Sequence, residues 1–378
     1  MGKKILVVDD EEGIRRELAF TLEDEGYIAI TAGSGSEALV KLEEHDFDIV
    51  ITDLMLLPDL DGMEVLRRVK ERRPGTVVVM ITAHGSEEKA VEAMKLGADD
   101  YFPKPFEPEE MLMKLAKALE MQRLKEENQL FHQRLEMELD IARKIQQILL
   151  PQQIPSIPGI DISTFSQPAK HVGGDYHDLI ELPTGGLGIA VGDVSGKGMP
   201  AALLMANAQA SLRRCSEVIY SPREIIHRIN NSLCPICQYI EEHRFITLFY
   251  GVLDPEDKKL IYSNAGHSYP LIFRGDGSVW NQLESTGMPC GIVEDADYDE
   301  AEIHLKSGDI VLFFTDGITE AANSDEAIFG EERLKYIVSS NSRLSSADLV
   351  AVIHKELAKF VGDASQYDDL TLMVLRIQ

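Results

Sequence analysis

Short unbroken apolar runs alternate with amphipathic stretches through the first third of the chain. "KILVVDD" is followed by an amphipathic segment from Glu12 to Glu25, then "YIAITA", then a helical pattern from Gly35 to His45. "FDIVITD" and "TVVVMITA" are two further apolar runs, and "DDYFPKPF" closes the series. Apolar strands too short to be helices, alternating with helical periods, predict a parallel sheet with helices on both faces. The fold class expected here is a doubly wound α/β domain. In such sheets the working site lies beyond the carboxyl ends of the strands. Asp9, Asp10, Asp53, Thr82 and Lys104 all fall at such ends.

The pattern then changes period. From Glu107 to Leu150 there is no glycine, and no proline after Pro108. An uninterrupted stretch of that length points to a coiled coil rather than an ordinary globular helix. One heptad frame places Met121, Leu124, Asn128, Phe131, Leu135, Glu138, Ala142, Ile145 and Leu149 at a and d, and seven of the nine are apolar. Asn at an a position favours a fixed register and two strands. The competing reading is a helix packed on its own domain. The heptad favours a homodimer formed through 107–150.

"LPQQIPSIPGI" ends that helix with three prolines and a glycine. Beyond it, "GLGIAVGDV", "FITLFYGVL", "KLIYSNAG", "PLIFRG", "DIVLFFTDG" and "LTLMVLRI" read as strands, with "DPEDKK" as a hairpin connection. Helices are expected at Pro200–Arg214, Pro222–Ile240, Glu331–Ser339 and Ser346–Phe360. Hairpins plus separate helices predict an antiparallel α+β domain. The expected division is 1–120, a helical linker over 107–150 continuing the last helix of the first domain, and 151–378.

Composition narrows the classes. The chain has 378 residues, 44% hydrophobic and 27% charged, with a formal net charge of −27. That charge argues against nucleic acid or an anionic membrane as a partner. Cys234 and Cys237 form one C-x-x-C, with Cys215 and Cys290 elsewhere; lacking a second pair, they read as reduced thiols rather than a zinc site. "MGKKILVVDDEE" turns acidic too soon for a secretory signal, and no apolar run is long enough to span a bilayer. A cytoplasmic location is expected.

Three carboxylates at one sheet edge repel unless a cation or raised pKa values relieve them. A carboxylate beside a cation and a lysine can accept a phosphoryl group. With "ILVVDDE", "VITDLML", "PDLDG", "ITAHG" and "GADDYFPKPF", residues 1 to about 120 resemble the receiver domain of two-component response regulators. The resemblance implies Asp53 as phospho-acceptor and a Mg²⁺ site from Asp9, Asp10, Asp53 and the Met55 carbonyl. It also implies Thr82 and Lys104 as phosphoryl contacts, Tyr101 as the aromatic switch, a cis Lys104–Pro105 peptide and a sensor histidine kinase as phosphodonor. Pro58 lies one residue later than the family places it.

A second set of acids is scattered over the remaining chain. Asp175 and Asp193 stand in the glycine-rich segment "HVGGDYHDLIELPTGGLGIAVGDVSGKGMPAALL"; Asp316 ends "DIVLFFTDG"; Asp368 and Asp369 precede "LTLMVLRI". A lone buried carboxylate is costly, so acids at several strand ends imply convergence on a metal. An all-oxygen set suits Mg²⁺ or Mn²⁺, and two metals can promote in-line attack on phosphorus with no serine or cysteine nucleophile. "VGGDYHDL", "GDVSGKGMPAALLMA", "NAGH", "FTDGITEA", "FGEERL" and "YDDLTLMVLR" resemble the SpoIIE and RsbU type of metal-dependent serine/threonine phosphatase over about 150–378. That resemblance implies a β-sandwich flanked by helices and two Mn²⁺ or Mg²⁺. The ligands would be Asp175, Asp193, the Val194 carbonyl, Asp316 and Asp368, with Asp369 as alternate to Asp368. The catalytic group would be a metal-bridging water held by Asp175 and Asp193. "SGKG" around Lys197 is read as a metal-site loop, His267 as a structural loop histidine, and Cys215 and Met205 as core.

Together these features predict a response regulator whose phosphorylation at Asp53 controls a phosphatase. The implied substrate is a phosphorylated anti-sigma-factor antagonist. One unbroken helix joining the two sites suggests coupling from Asp53 to the helix that begins near Pro200. The alternatives are a non-catalytic adaptor with a phosphatase-like fold, which would lack the metal aspartates, and a DNA-binding regulator, for which no basic recognition helix is present.

Overall fold

The computed structural model describes residues 2–56, 60–82, 87–239 and 244–378. Pro58, the last three residues of "ITAHG" and Ile240 lie outside the described residues. The chain divides into two compact units, Met1–Leu135 and Glu136–Gln378.

In the first unit the elements run β1 (Lys4–Val8), α1 (Glu12–Asp24), β2 (Ile28–Ala32), α2 (Gly35–Glu44), β3 (Ile49–Asp53), α3 (Gly62–Arg72), β4 (Val77–Thr82), α4 (Glu87–Lys95) and β5 (Asp100–Pro103). The strands form one parallel sheet in the order β2-β1-β3-β4-β5. Every residue of β3 and β4 is buried, which is why they read as continuous apolar runs rather than alternating ones. Leu18 and Leu22 of α1 share one core layer with Met111 and Leu115; α2 and α3 supply Ala38, Val65, Leu66 and Val69 to the other. Sequence marks the helix starts: Ser34 accepts a hydrogen bond from the Glu37 amide, and Asp61 from that of Glu64.

Helix α5 (Pro108–Leu149) starts in this unit and ends in the second. Its 42 residues form one unbroken helix, with Met111 and Leu115 as its buried residues.

The second unit continues β6 (Ile160–Gln167), β7 (Tyr176–Glu181), β8 (Leu187–Val194), α6 (Met199–Ser216), α7 (Pro222–Tyr239), β9 (Ile246–Asp254), β10 (Lys259–Ala265), β11 (Leu271–Phe273) and β12 (Val279–Gln282). It closes with β13 (Ala301–His304), β14 (Ile310–Phe314), α8 (Asp316–Thr319), α9 (Glu331–Ser340), α10 (Ser346–Val361) and β15 (Leu370–Ile377). Two antiparallel sheets, β13-β10-β9-β8-β7 and β12-β11-β14-β15-β6, pack face to face. Leu187, Ile189, Val191 and Phe249 of one sheet meet Val311, Phe313, Met373 and Leu375 of the other. The outer face of the first sheet carries α6 and α7, and that of the second carries α9 and α10. β8 is therefore packed on both sides.

The four expected helices are present within a few residues of their predicted ends. β6, β7, β12 and β13, the edge strands of the two sheets, are not among the runs read as strands. Asp316 opens the short helix α8 rather than ending β14. Of the four cysteines, Cys234, Cys237 and Cys290 are buried and Cys215 is partly exposed; all are free thiols.

Candidate functional site

The order of strands places Asp9 just past β1 and Asp53 at the end of β3, neighbours on either side of the topological switch point. Asp9, Asp10 and Asp53 bring one oxygen each to within 4.8 Å of one another. Lys104, at the end of the sheet's edge strand β5, pairs with both Asp9 (2.9 Å) and Asp53. Burial works to lower the Lys104 pKa, but the two carboxylates outweigh it and hold the ammonium above its ordinary value. Burial raises Asp9, against the pull of Lys104. The Met55 amide donates to Asp53 Oδ1 at 2.8 Å, so the chain turns sharply around the carboxylate. Thr82 is buried at the end of β4, whereas the Tyr101 ring is exposed on β5. The Lys104–Pro105 peptide is cis.

At the rim of the sandwich the second set of acids shares one electrostatic neighbourhood. Asp193 sits near the end of β8. Burial first, then Asp316, Asp368 and Asp369, push its pKa up to about 7. Asp175 is raised well above the carboxylate range by burial and by Asp193. Asp316 is raised by burial, Glu320 and Asp368. Crowded carboxylates that cannot all ionise favourably, with oxygen donors throughout, fit hard divalent cations. No three of these acids approach as tightly as the trio around Asp53. Three of them are held by bonds of their own. Thr315 donates to Asp175 Oδ2 at 2.8 Å. Asp369 accepts from the amides of Ala169 (2.7 Å) and Gly174 (2.6 Å). Asp368, 31% exposed, pairs with Lys197 at 3.0 Å. The two adjacent aspartates thus differ: both oxygens of Asp369 are occupied by backbone amides and its side chain is buried, whereas Asp368 takes one amide, that of Asp369 at 2.9 Å, and is partly exposed.

Glycine is required beside them. A Cβ on Gly173 would lie 2.5 Å from Asp369 Oδ2, and one on Gly174 would lie 3.0 Å from the Val194 carbonyl oxygen. These glycines let the loop before Asp175 close on the segments that carry Asp369 and Asp193.

The family model described as "Stage II sporulation protein E (SpoIIE)" matches residues 183–378, more than half of the chain. The chain belongs to the SpoIIE family. A second model, the response regulator receiver domain, matches residues 5–116. "Phosphoserine phosphatase RsbU" of Bacillus subtilis (strain 168) is 30% identical over 244 residues, covering 65% of this chain and 71% of that protein. "Alkaline phosphatase synthesis transcriptional regulatory protein PhoP" of the same organism is 47% identical over 111 residues, 29% of this chain and 46% of that protein. Among solved structures, the "SiaA-PP2C domain of Pseudomonas aeruginosa" aligns with a TM-score of 0.59 at 23% identity, over 65% of this chain and 98% of that one, a likeness of fold.

In the SpoIIE domain the loop around Lys197 lies at the acid cluster, with the ammonium 3.6 Å above the Tyr367 ring. His267 is enclosed. Burial lowers its pKa to about 4, and its Nδ1 lies 3.0 Å from the Thr247 hydroxyl, which donates to the Asp193 carbonyl. It props the strand that carries Asp193 from behind. Sequence reasoning missed Asp178. Its fully buried carboxylate is bridged by Arg213 of α6 at 2.7 and 2.9 Å and takes a third bond from the Tyr176 hydroxyl. The pair pins α6, the helix that follows the Asp193 loop, to β7. An acid of "YHDLIE" and an arginine 35 residues on share no spacing that would reveal this. Among the described residues no helix is long and apolar enough to cross a membrane.

Proposed function

We propose that this chain hydrolyses phosphoserine or phosphothreonine on a protein substrate, releasing inorganic phosphate, and that phosphorylation of Asp53 controls the rate. The observation that carries the reading is the gathering of acids around Asp193 in a SpoIIE-family domain joined to a receiver. Asp175, Asp193, the Val194 carbonyl, Asp316 and Asp368 would hold two Mn²⁺ or Mg²⁺, which supply Lewis acidity and neutralise charge when bound. Asp369 fastens the strand end to the Asp175 loop, and Lys197 sets a positive charge beside Asp368 at the mouth. In the receiver, Asp9, Asp10 and the Met55 carbonyl would hold Mg²⁺, Asp53 accepts the phosphoryl group from a histidine kinase, and Lys104 and Thr82 meet its oxygens. The functional division we adopt is 1–120 for the receiver, 107–150 for the linker and 151–378 for the phosphatase.

The substrate we favour is a phosphorylated anti-sigma-factor antagonist; the similarity to RsbU supports a partner-switching role. We place a homodimer contact on α5, where Met121, Leu124, Phe131, Leu135 and Ile145 of the heptad frame are exposed, Phe131 by 63%. A second chain would cover that apolar stripe.

The test is phosphate release from a phosphoserine antagonist protein with Mn²⁺, comparing wild type, Asp193→Ala and Asp53→Ala with and without beryllofluoride. Activity in wild type, its loss in Asp193→Ala, and a beryllofluoride response confined to Asp53-containing chains are expected. An inactive wild type with metal and beryllofluoride both present overturns the reading.

A further inference from the structure

The last turns of α5 reach the acid cluster directly. Gln146 donates from Nε2 to the Gly173 carbonyl at 2.7 Å and accepts at Oε1 from the Gly173 amide at 3.0 Å. One side-chain amide therefore satisfies both backbone groups of a single buried residue. From there the connection is short. The next amide, that of Gly174, is held by Asp369, and the residue after it is Asp175. A cavity of about 60 Å³ is lined by Arg143, Gln146 and Gln147 of α5 on one side and Gly173, Asp175 and Asp369 on the other. A second tie holds the helix end. Gln209 of α6 donates to the Leu149 carbonyl at 3.0 Å.

We propose that Gln146 is a positioning residue: it sets the 173–175 loop, and through it the Asp175 carboxylate, according to the state of α5. This rests on the metal-dependent phosphatase reading. The pattern of bonds argues for it over simple helix docking. Docking needs apolar contact, which Leu150 makes with the α6 core. A paired donor and acceptor aimed at one glycine fixes that glycine's place and orientation as apolar contact does not. The glycine also has no slack. Its Cα faces Asp369 so closely that no side chain fits between them. A shift or rotation of α5 is passed to Asp175 or breaks the two bonds.

The experiment uses the full chain and Mn²⁺ alone as probe, with free Mn²⁺ followed by electron paramagnetic resonance and melting by calorimetry. Gln146→Met keeps length and bulk but removes both bonds. Outer-shell changes of this kind cost about 10–100-fold in metal affinity, and that loss is expected, alongside a fall in melting temperature from the two Gly173 groups left unpaired. Beryllofluoride should change Mn²⁺ affinity in wild type and not in Gln146→Met. Gln209→Met, which frees only the helix end, serves as the docking control and should keep most of the affinity. Equal Mn²⁺ affinity and equal beryllofluoride response in wild type and Gln146→Met overturn the proposal. So does an equal loss in Gln146→Met and Gln209→Met, which would mean docking alone matters. A wild type that takes up Mn²⁺ only at the receiver, so that Asp193→Ala binds as much, overturns the functional reading and this proposal with it.

Discussion

Substituting Asp369 and Asp368 by Asn, one at a time, separates two adjacent acids that the sequence cannot tell apart. Asp369 accepts two backbone amides at 2.7 and 2.6 Å. An Asn there keeps one acceptor and turns its own NH₂ toward the other amide. One charge-assisted bond is lost and one buried N–H is stranded, which together cost about 3 kcal/mol. For a domain of this size that lowers the melting temperature by about 6–12 °C. Relief of repulsion on Asp193 would mask part of this. Calorimetry is therefore run in chelator on the acid side of the Asp193 pKa of about 7. Asp368→Asn loses the partly exposed pair with Lys197, at most about 1 kcal/mol, and the Asn oxygen can still accept the Asp369 amide that Asp368 Oδ1 holds at 2.9 Å. Its removal should leave melting nearly unchanged while phosphate release falls by about a hundredfold or more, the order expected when a charge-stabilising group is removed from an active site. The reasoning is refuted if Asp369→Asn melts with wild type, or if Asp368→Asn melts far below it and keeps its activity.

Arg213→Met leaves the buried Asp178 carboxylate without its counter-charge, held only by the Tyr176 hydroxyl and the Leu179 amide. With the guanidinium about half exposed, the cost should be about 2–3 kcal/mol, read from urea unfolding of the second unit; an unchanged midpoint contradicts it. His177 is buried with an unpartnered Nδ1, and burial lowers its pKa from 6.5 to about 4. Below pH 6.5 the unfolded histidine takes a proton that the folded one refuses until about 4, so acidification through that window destabilises the fold, by up to about 3 kcal/mol. His177→Phe should flatten that part of the stability–pH curve, and an equally steep curve rules this out. Gly173→Ala, whose Cβ would meet Asp369 Oδ2 at 2.5 Å, should weaken Mn²⁺ binding about tenfold or more, measured by titration. Phe131→Glu in the α5 stripe should turn a dimer into a monomer in sedimentation equilibrium at micromolar concentration, and an unaltered mass removes 107–150 as the dimer contact.

The sequence was most readable where a strand is buried on both faces and ends in an acid. β1, β3, β8 and β14 have an acid at or within two residues of their ends, and those acids are among the ones the structure gathers; β4 is equally buried but ends in Thr82. It was least readable at edges and over long range. β6 is only partly buried throughout, and its residues "IDISTFSQ" carry little apolar signal. β13, at the other sheet's edge, has one buried residue. The roles of Asp368 and Asp369 depend on which backbone amides come within reach after folding. Gln146 sits among heptad positions, where a polar residue signals nothing, and its partner lies 27 residues away.

The distribution of thiols also makes the molecule its own reporter. Three cysteines are sealed in cores, and the fourth, Cys215, lies near the end of α6 with part of its side chain open to solvent. A maleimide nitroxide or fluorophore should therefore attach at one place without cysteine replacement. That place is on the helix that leads away from the Asp193 loop. Motion of the element nearest the chemistry can thus be followed by spectroscopy in the unaltered chain.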